Sequence, residues 1–334
     1  MASLEHQYPS VSVFLKWYLP TLVIAGVIGN LYSFGVIVFT KLRKTPHMNY
    51  LAFLTVSDTA YLLALGLLSL DLRHKYDLIC RSINYVLNCA SWASSWAICC
   101  LSVERFIAIF YPFARLTYCN SGRKARLVIW YLLPIPLIFN VWTLILIEMN
   151  RSENRTECEI NNDDKSVVQL SFALTTVDIL FAFVFPLILI VALNGAIMCK
   201  LMRQRKSSKT EQRALFVRKH GHSAGRAERK LTALLVLVPA VFVLLNSPSY
   251  VMRILNFIGS LQHWSIDYNE IALLTDLSHL LSHTNYAINF VVYVFSSKLF
   301  RQTAFFPWND STLSCCLIND EWKQRGMASY KVSI

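Results

Sequence analysis

ICRSINYVLNCASWASSWAICCLSVERFIAIFY, residues 79–111, decides the fold. A hydrocarbon core of ~30 Å needs about 20 predominantly apolar residues of helix, and this run is long enough to cross it. Cys80 opens the run and Glu104-Arg105 lies near its other end. At ~1.5 Å per residue the interval from Cys80 to Arg105 is about 37 Å of helix, so one element reaches from face to face. Six more stretches of the same kind lie near 16–40, 49–70, 126–148, 168–199, 230–258 and 270–296. The expectation is an all-α membrane protein: seven transmembrane helices in a bundle, with little chain left for a soluble domain.

Composition agrees. Of 334 residues, 55% are hydrophobic and only 16% are charged, against about 25% charged in soluble proteins, and the mean hydropathy is +0.43. A net charge of +12 raises the question of nucleic acid, but the charges sit between spans rather than on one soluble face, so they speak for orientation and no nucleic-acid partner is expected. Lys41, Arg43 and Lys44 follow the first span, Arg115, Arg123, Lys124 and Arg126 the third, and residues 200–229 are rich in Lys and Arg. The connection between spans four and five is acidic instead, with Glu148, Glu153, Glu157, Glu159, Asp163 and Asp164. The positive-inside rule then sets the N-terminus outside and the C-terminus in the cytoplasm of a multi-pass plasma-membrane protein. The organisation read from this is an extracellular N-terminus (1–15), a seven-span domain (16–296), and an amphipathic helix with a cytoplasmic tail (297–334). The first fifteen residues lack the basic, apolar and small-residue regions of a cleaved signal peptide.

Of nine cysteines, Cys80 and Cys158 fall on the outer side, where an oxidising exterior allows them to pair. Cys89, Cys99, Cys100 and Cys199 read as small apolar packing residues. No Cys/His spacing argues for zinc, so no structural metal is expected.

Each span carries a mark: Gly29-Asn30, Leu51-Ala52 through Asp58, Cys80 with Glu104-Arg105-Phe106, Trp130, Phe185-Pro186, Phe242 through Pro248, and Asn289-Phe290-Val291-Val292-Tyr293. In these marks the chain resembles the rhodopsin-like (class A) family of G-protein-coupled receptors from span one to the segment after span seven. The resemblance implies a receptor that binds an extracellular ligand and activates a heterotrimeric G protein by a conformational switch, with arrestin as a further partner. It implies a sodium ion with water among Asp58, Ser94, Asn285 and Asn289; the alternative is a hydrogen-bonded polar core without an ion. No other cofactor is expected. Arg105, beside Glu104, is implied to brace the resting state against Glu228 and later to meet the G protein, with Tyr293 in the same switch; alternatively Glu228 is one acid in a basic loop. Pro186, Phe242 and Pro248 mark the pivot region, since proline inside a helix removes a backbone bond and kinks it. Three departures bear on that switch. Asn246 stands where the family has a tryptophan, Phe290 where it has a proline, and Asn194 where it has a tyrosine. The Asn-Phe-x-x-Tyr variant and the run from Leu244 to Tyr250 resemble invertebrate FMRFamide-type neuropeptide receptors.

The resemblance also narrows the ligand. Leu87 stands where amine receptors carry an aspartate, and His283 where opsins carry the retinal lysine. What remains at the outer end is polar: Asp71, Arg81, Asn88, Asp178, Arg253, Asp276, His279 and His283. This assortment suits a peptide, so Leu87, Asn88, Asp178, Arg253, Asp276 and His279 are the candidate ligand positions, led by Asp178 and Arg253. Each has an alternative as a partner inside the bundle. Sequons at Asn154 and Asn150 are glycosylation candidates on the outer side. After span seven, Lys298, Leu299, Phe300, Arg301, Phe305 and Phe306 form an amphipathic pattern suited to membrane lipid, followed by Cys315 and Cys316, either palmitoylated or free thiols. Two other readings compete: a receptor-like protein that does not signal, and a polytopic transporter, whose internal repeats and broken spans are not seen in the sequence. No nucleophile with a base, metal triad or phosphate loop speaks for an enzyme.

Overall fold

The computed structural model describes residues 9–44, 46–69, 77–111, 122–152, 155–160, 165–214, 237–256, 268–296 and 298–305. Among these residues six helices are long and apolar enough to cross a membrane: Lys16–Phe39, His47–Leu68, Asp77–Phe110, Ala125–Leu146, Ser166–Arg203 and Leu237–Asn256. They match six of the seven predicted spans. The seventh, predicted as one stretch over 270–296, is instead two helices, Tyr268–Ala287 and Asn289–Ser296, with a bend at Ile288. Ile288 N–H still donates to Thr284 O and Val292 N–H to Ile288 O, each at 3.0 Å, so the bend sits in the helical path without a proline at Phe290.

Polarity is turned inside out relative to a soluble bundle. Asn30, Ser33, Thr55, Asp58, Ser94, Ser102 and Asn289 are buried, whereas Ile24, Ile28, Trp130, Ile138, Leu244 and Phe295 are exposed. Such broad apolar surface suits a lipid surround. Within, Leu51, Leu54, Ile98, Leu101, Ile190, Phe242 and Tyr293 form the main apolar core. Spans one and seven meet at Gly26, where an added Cβ would lie 2.6 Å from both Ala287 Cβ and Leu62 Cδ1. Small residues permit this close helix approach in membranes.

The fourth span is built from Gly122–Leu132, Pro134–Phe139 and Val141–Leu146. Pro134 and Pro136 cannot donate, so the carbonyls of residues 130 and 132 lose their helical donors; beyond them Asn140 N–H and Nδ2 both donate to Pro136 O, at 3.1 and 2.9 Å, and its own carbonyl accepts Thr143 Oγ1 at 2.8 Å. The fifth span contains a π turn, Leu180–Val184, before the helix Phe185–Ala214.

One element was not expected. The outer connection folds into an antiparallel hairpin, β1 (Ile147–Ser152) with β2 (Arg155–Ile160), in the register Ile147↔Ile160, Met149↔Cys158 and Ser152↔Arg155. Span four therefore ends at Leu146, two residues short of the predicted end at 148. After span seven the helix Lys298–Phe305 forms as expected. Arg301 Nη1 donates to Val294 O at 2.8 Å and to Phe295 O at 2.9 Å, satisfying carbonyls at the end of the preceding helix. Tyr32 OH donates to Ala304 O at 2.8 Å and ties this helix to span one.

Candidate functional site

The polar groups fall into three layers along span three. In the outer layer the Asp178 carboxylate is buried and shared between spans. Trp92 Nε1 donates to its Oδ1 at 2.6 Å, and Arg253 Nη2 approaches its Oδ2 at 3.3 Å. A buried tryptophan N–H needs such an acceptor. The Arg253 side chain is 36% exposed, while that of Asp178 is 3% exposed. Tyr250, 5.8 Å beneath the guanidinium, stacks on Phe183 at 3.9 Å. Asp178 and Arg253 are thus brought together, with the aspartate as the buried partner and the arginine as the more exposed one.

Of the other predicted ligand positions, His279 feels the charges of both Arg253 and Asp276, while Leu87 and Asn88 lie on span three. Leu87 packs against Tyr61, Ala90 and Tyr286, and Asn88 is half-buried nearby on span three. Asp276 and His279 are half-buried on span seven. The His279 ring lies 6.3 Å from that of His283, whose Nδ1 shares a 3.0 Å hydrogen bond with Tyr61 OH. Tyr61 stacks on Tyr286 at 3.6 Å, and Tyr286 OH donates to Ser91 Oγ at 2.9 Å. This second cluster joins spans two, three and seven; of it the sequence singles out Leu87, His279 and His283, but not Tyr61, Ser91 or Tyr286. Arg81, read as a ligand-side charge, is a brace: Nε donates to Asp77 at 2.7 Å and Nη1 to Leu144 O at 3.0 Å.

In the middle layer Asp58 is fully buried. Ser94 Oγ donates to Oδ1 at 2.8 Å, and Asn289 Nδ2 donates to Oδ2. Asn285 is buried beside the same region of span seven, and its Nδ2 has no hydrogen-bond partner among the described residues. The carboxylate, one hydroxyl and two carboxamides form an oxygen-bearing set that fits a small hard cation, with the amide orientations as the adjustable part. One turn outward, Asn246 takes the place of the family's tryptophan and links two spans. Its Oδ1 accepts Ser282 Oγ at 2.8 Å and its Nδ2 donates to Phe242 O at 2.9 Å.

In the inner layer Glu104 and Arg105 are both buried, with Arg105 Nε 3.3 Å from Glu104 Oε2. The helix continues past them to Phe110, within a residue of the expected span end at 111, and Arg105 is held inside the bundle. Asn194 Nδ2 donates to Ser102 Oγ at 3.0 Å, one turn from Arg105. The Tyr293 hydroxyl is buried with no hydrogen-bond partner among the described residues, and its ring meets Phe300 edge-on at 5.7 Å. Lys200 Nζ donates to Ile109 O at 2.7 Å, fastening span five to the end of span three.

Cys80 is buried and disulfide-bonded, while Cys89, Cys99, Cys100 and Cys199 are free. Cys158 and Asn150 lie on β2 and β1, and both strands pack against the third span; their side chains lie outside the described residues, as do Asn154, Glu228, Cys315 and Cys316.

A family profile described as "7 transmembrane receptor (rhodopsin family)" matches residues 29–293. The chain is similar to the B1 bradykinin receptor of Chlorocebus pygerythrus, 27% identical over 307 residues that span 85% of this chain and 80% of that receptor. It is likewise similar to the human B1 bradykinin receptor, at 26% over 307 residues, 85% of this chain and 80% of that receptor. The rat somatostatin receptor type 4 is 26% identical over 305 residues, 88% of this chain and 72% of the receptor. With the helical bundle, the buried Asp58 cluster and the Glu104-Arg105 pair in place, the chain belongs to the rhodopsin family of seven-transmembrane receptors, multi-pass signalling proteins of the membrane rather than enzymes.

Proposed function

We propose that this receptor binds an extracellular peptide and activates a heterotrimeric G protein. The observation that carries the reading is the Asp178–Arg253 pair: it joins spans three, five and six through Trp92, and its arginine remains partly open. A peptide offers carbonyl and carboxylate groups to which a guanidinium donates well. Such a group competes with Asp178 for Arg253 and so changes how span six sits against span five. The relatives named for bradykinin and somatostatin, both peptides, support the same class of ligand. Within that class, the Asn289-to-Tyr293 variant and the Leu244-to-Tyr250 run favour an amidated neuropeptide of the FMRFamide type.

The remaining assignments follow this reading. The N-terminus lies outside and the C-terminus in the cytoplasm, on the charge distribution. Cys158 is the partner of Cys80, supported by the packing of β2 against the third span. Asn154, and less favourably Asn150 on β1, carry glycans. Sodium occupies the Asp58, Ser94, Asn285 and Asn289 set. Arg105 and Tyr293 form the inner switch with Glu228, Cys315 and Cys316 are palmitoylated, the helix Lys298–Phe305 lies on inner-leaflet lipid, and arrestin binds the activated form. The test is a calcium and cyclic-nucleotide readout in cells expressing the chain, challenged with a library of amidated neuropeptides. A peptide-dependent response that vanishes in Arg253→Ala at equal surface expression is expected; responses only to amines or lipids would overturn the peptide reading.

A further inference from the structure

The bundle has a concavity on its membrane-facing side. Phe53 of span two, Trp92 and Trp96 of span three, Ile135 and Pro136 of span four and Phe181 of span five line a cavity of about 210 Å³. Both indole N–H groups in its wall are already committed. Trp92 donates to Asp178, and Trp96 Nε1 donates to Phe181 O at 3.1 Å. The second bond has a backbone cause. In the π turn the bonding step is five residues, as Phe185 N–H to Leu180 O shows; the next bond of that series would come from residue 186, which is proline and has no N–H. Phe181 O is therefore left over, and Trp96 takes it.

With both donors satisfied, the cavity offers nothing to hold water, which needs about 2–4 polar partners, whereas apolar cavities of ~150 Å³ stay dry and accept small hydrocarbons. Its rim lies on the lipid-facing surface, where Ile135 is 52% and Phe181 42% exposed. Trp92 is twelve residues beyond Cys80, about 18 Å along the helix, close to the middle of a ~30 Å hydrocarbon core. That is the depth at which lipid chains end.

We propose that this cavity binds the hydrocarbon tail of a membrane lipid, inserted between spans three, four and five against the Trp92 and Trp96 rings. Trp92 has its N–H on Asp178 and stacks on Phe139 at 4.9 Å and on Phe181 at 6.1 Å, so a tail packed against this aromatic group steadies one side of the outer pair. That consequence rests on the ligand reading above; the binding itself does not.

The test reconstitutes the full chain into phosphatidylcholine vesicles doped with phosphatidylcholine bearing a diazirine at the end of one acyl chain. After irradiation, adducts are mapped by mass spectrometry. Peptides with Ile135 and Phe181 are expected to carry several-fold more adduct than the peptide with Ile24 and Ile28, which are 61% and 64% exposed on span one. Filling the site with Ala93→Phe should bring them down to that level. Ile135→Trp, at an exposed rim position that does not endanger folding, should do the same. Labelling in simple proportion to exposure, or labelling indifferent to Ile135→Trp, overturns the proposal. No ligand is needed, so the outcome is independent of the peptide assignment.

Discussion

Among the described residues two acid–guanidinium pairs besides Asp77–Arg81 stand at the same separation, 3.3 Å, one in the outer half and one in the inner. Asp178 and Arg253 come from different spans, five and six, and are tied to a third by Trp92. Glu104 and Arg105 are adjacent on one helix and equally buried. A pair that bridges spans changes when the spans move, so it can report or drive a rearrangement. A pair within one helix travels with that helix and cannot. A shift between spans five and six therefore changes the outer pair directly, whereas the Glu104–Arg105 contact moves with span three.

The comparison breaks most visibly at Asp178. Removing one partner of a buried pair costs about 3–5 kcal/mol, and the 36% exposure of Arg253 lets water recover part of that, leaving about 2–3 kcal/mol after screening. Asp178→Ala also strips Trp92 of its acceptor. The expected result is a clear fall in melting temperature of the purified receptor with no loss of peptide affinity, since Asp178 no longer competes for Arg253. Asp178→Asn, which keeps an oxygen for Trp92, should melt between the two. Equal melting of Asp178→Ala and the unchanged chain would mean the pair holds nothing together.

At the inner pair the effect should separate binding from signalling. Arg105→Ala is expected to cut G-protein activation at least tenfold while leaving peptide affinity within about twofold, because Arg105 lies thirteen residues, about 20 Å of helix, from Trp92 in the outer layer. Glu228→Ala should act oppositely: if that acid contributes about 1.4 kcal/mol to the resting state, basal signalling rises about tenfold. Both are read at matched surface expression. An Arg105→Ala receptor that loses peptide affinity as Arg253→Ala is expected to would erase the distinction between the two pairs.

These contrasts also show what was legible beforehand. Apolar length alone located six spans because a bilayer imposes it, and Asp178 and Arg253 stood out as charges in apolar runs, which are costly unless partnered. Their mutual contact was not legible, since it depends on how spans five and six are rotated. Trp92 was overlooked as one aromatic among many; the signal available was its N–H, which a buried site obliges to find an acceptor. The hairpin was hidden by its acidic residues, although Ile147, Met149, Cys158 and Ile160 alternate with polar neighbours at the period of a strand. The break in span seven was obscured because Phe290 replaced the expected proline, so nothing local announced it.

A smaller effect belongs to the middle layer. If sodium occupies the Asp58 cluster, raising its concentration should lower agonist affinity a few-fold in isolated membranes, since the ion favours the state that agonist disfavours. Asp58→Asn should abolish the dependence by removing the charge while retaining an acceptor for Ser94. Affinity independent of sodium in the unchanged receptor would leave a hydrogen-bonded core alone.

The smallest effect sharpens the comparison by removing charge from it. Asn246 and Ser282 bridge spans six and seven as Asp178 and Arg253 bridge five and six, but the link is one neutral hydrogen bond of 2.8 Å. Interhelical hydrogen bonds in membranes average about 0.6 kcal/mol in double-mutant cycles. Asn246→Ala loses that bond and its own bond to Phe242 O, whereas Ser282→Ala loses the shared bond alone. The double mutant should therefore be no less stable than Asn246→Ala, and the coupling from the four melting curves should come to about 0.6 kcal/mol. The same cycle on Asp178 and Arg253 should give a coupling several times larger. Equal couplings would show that bridging two spans matters and charge does not; a vanishing coupling at Asn246 would show that this residue fills the tryptophan's position without inheriting a mechanical role between spans six and seven.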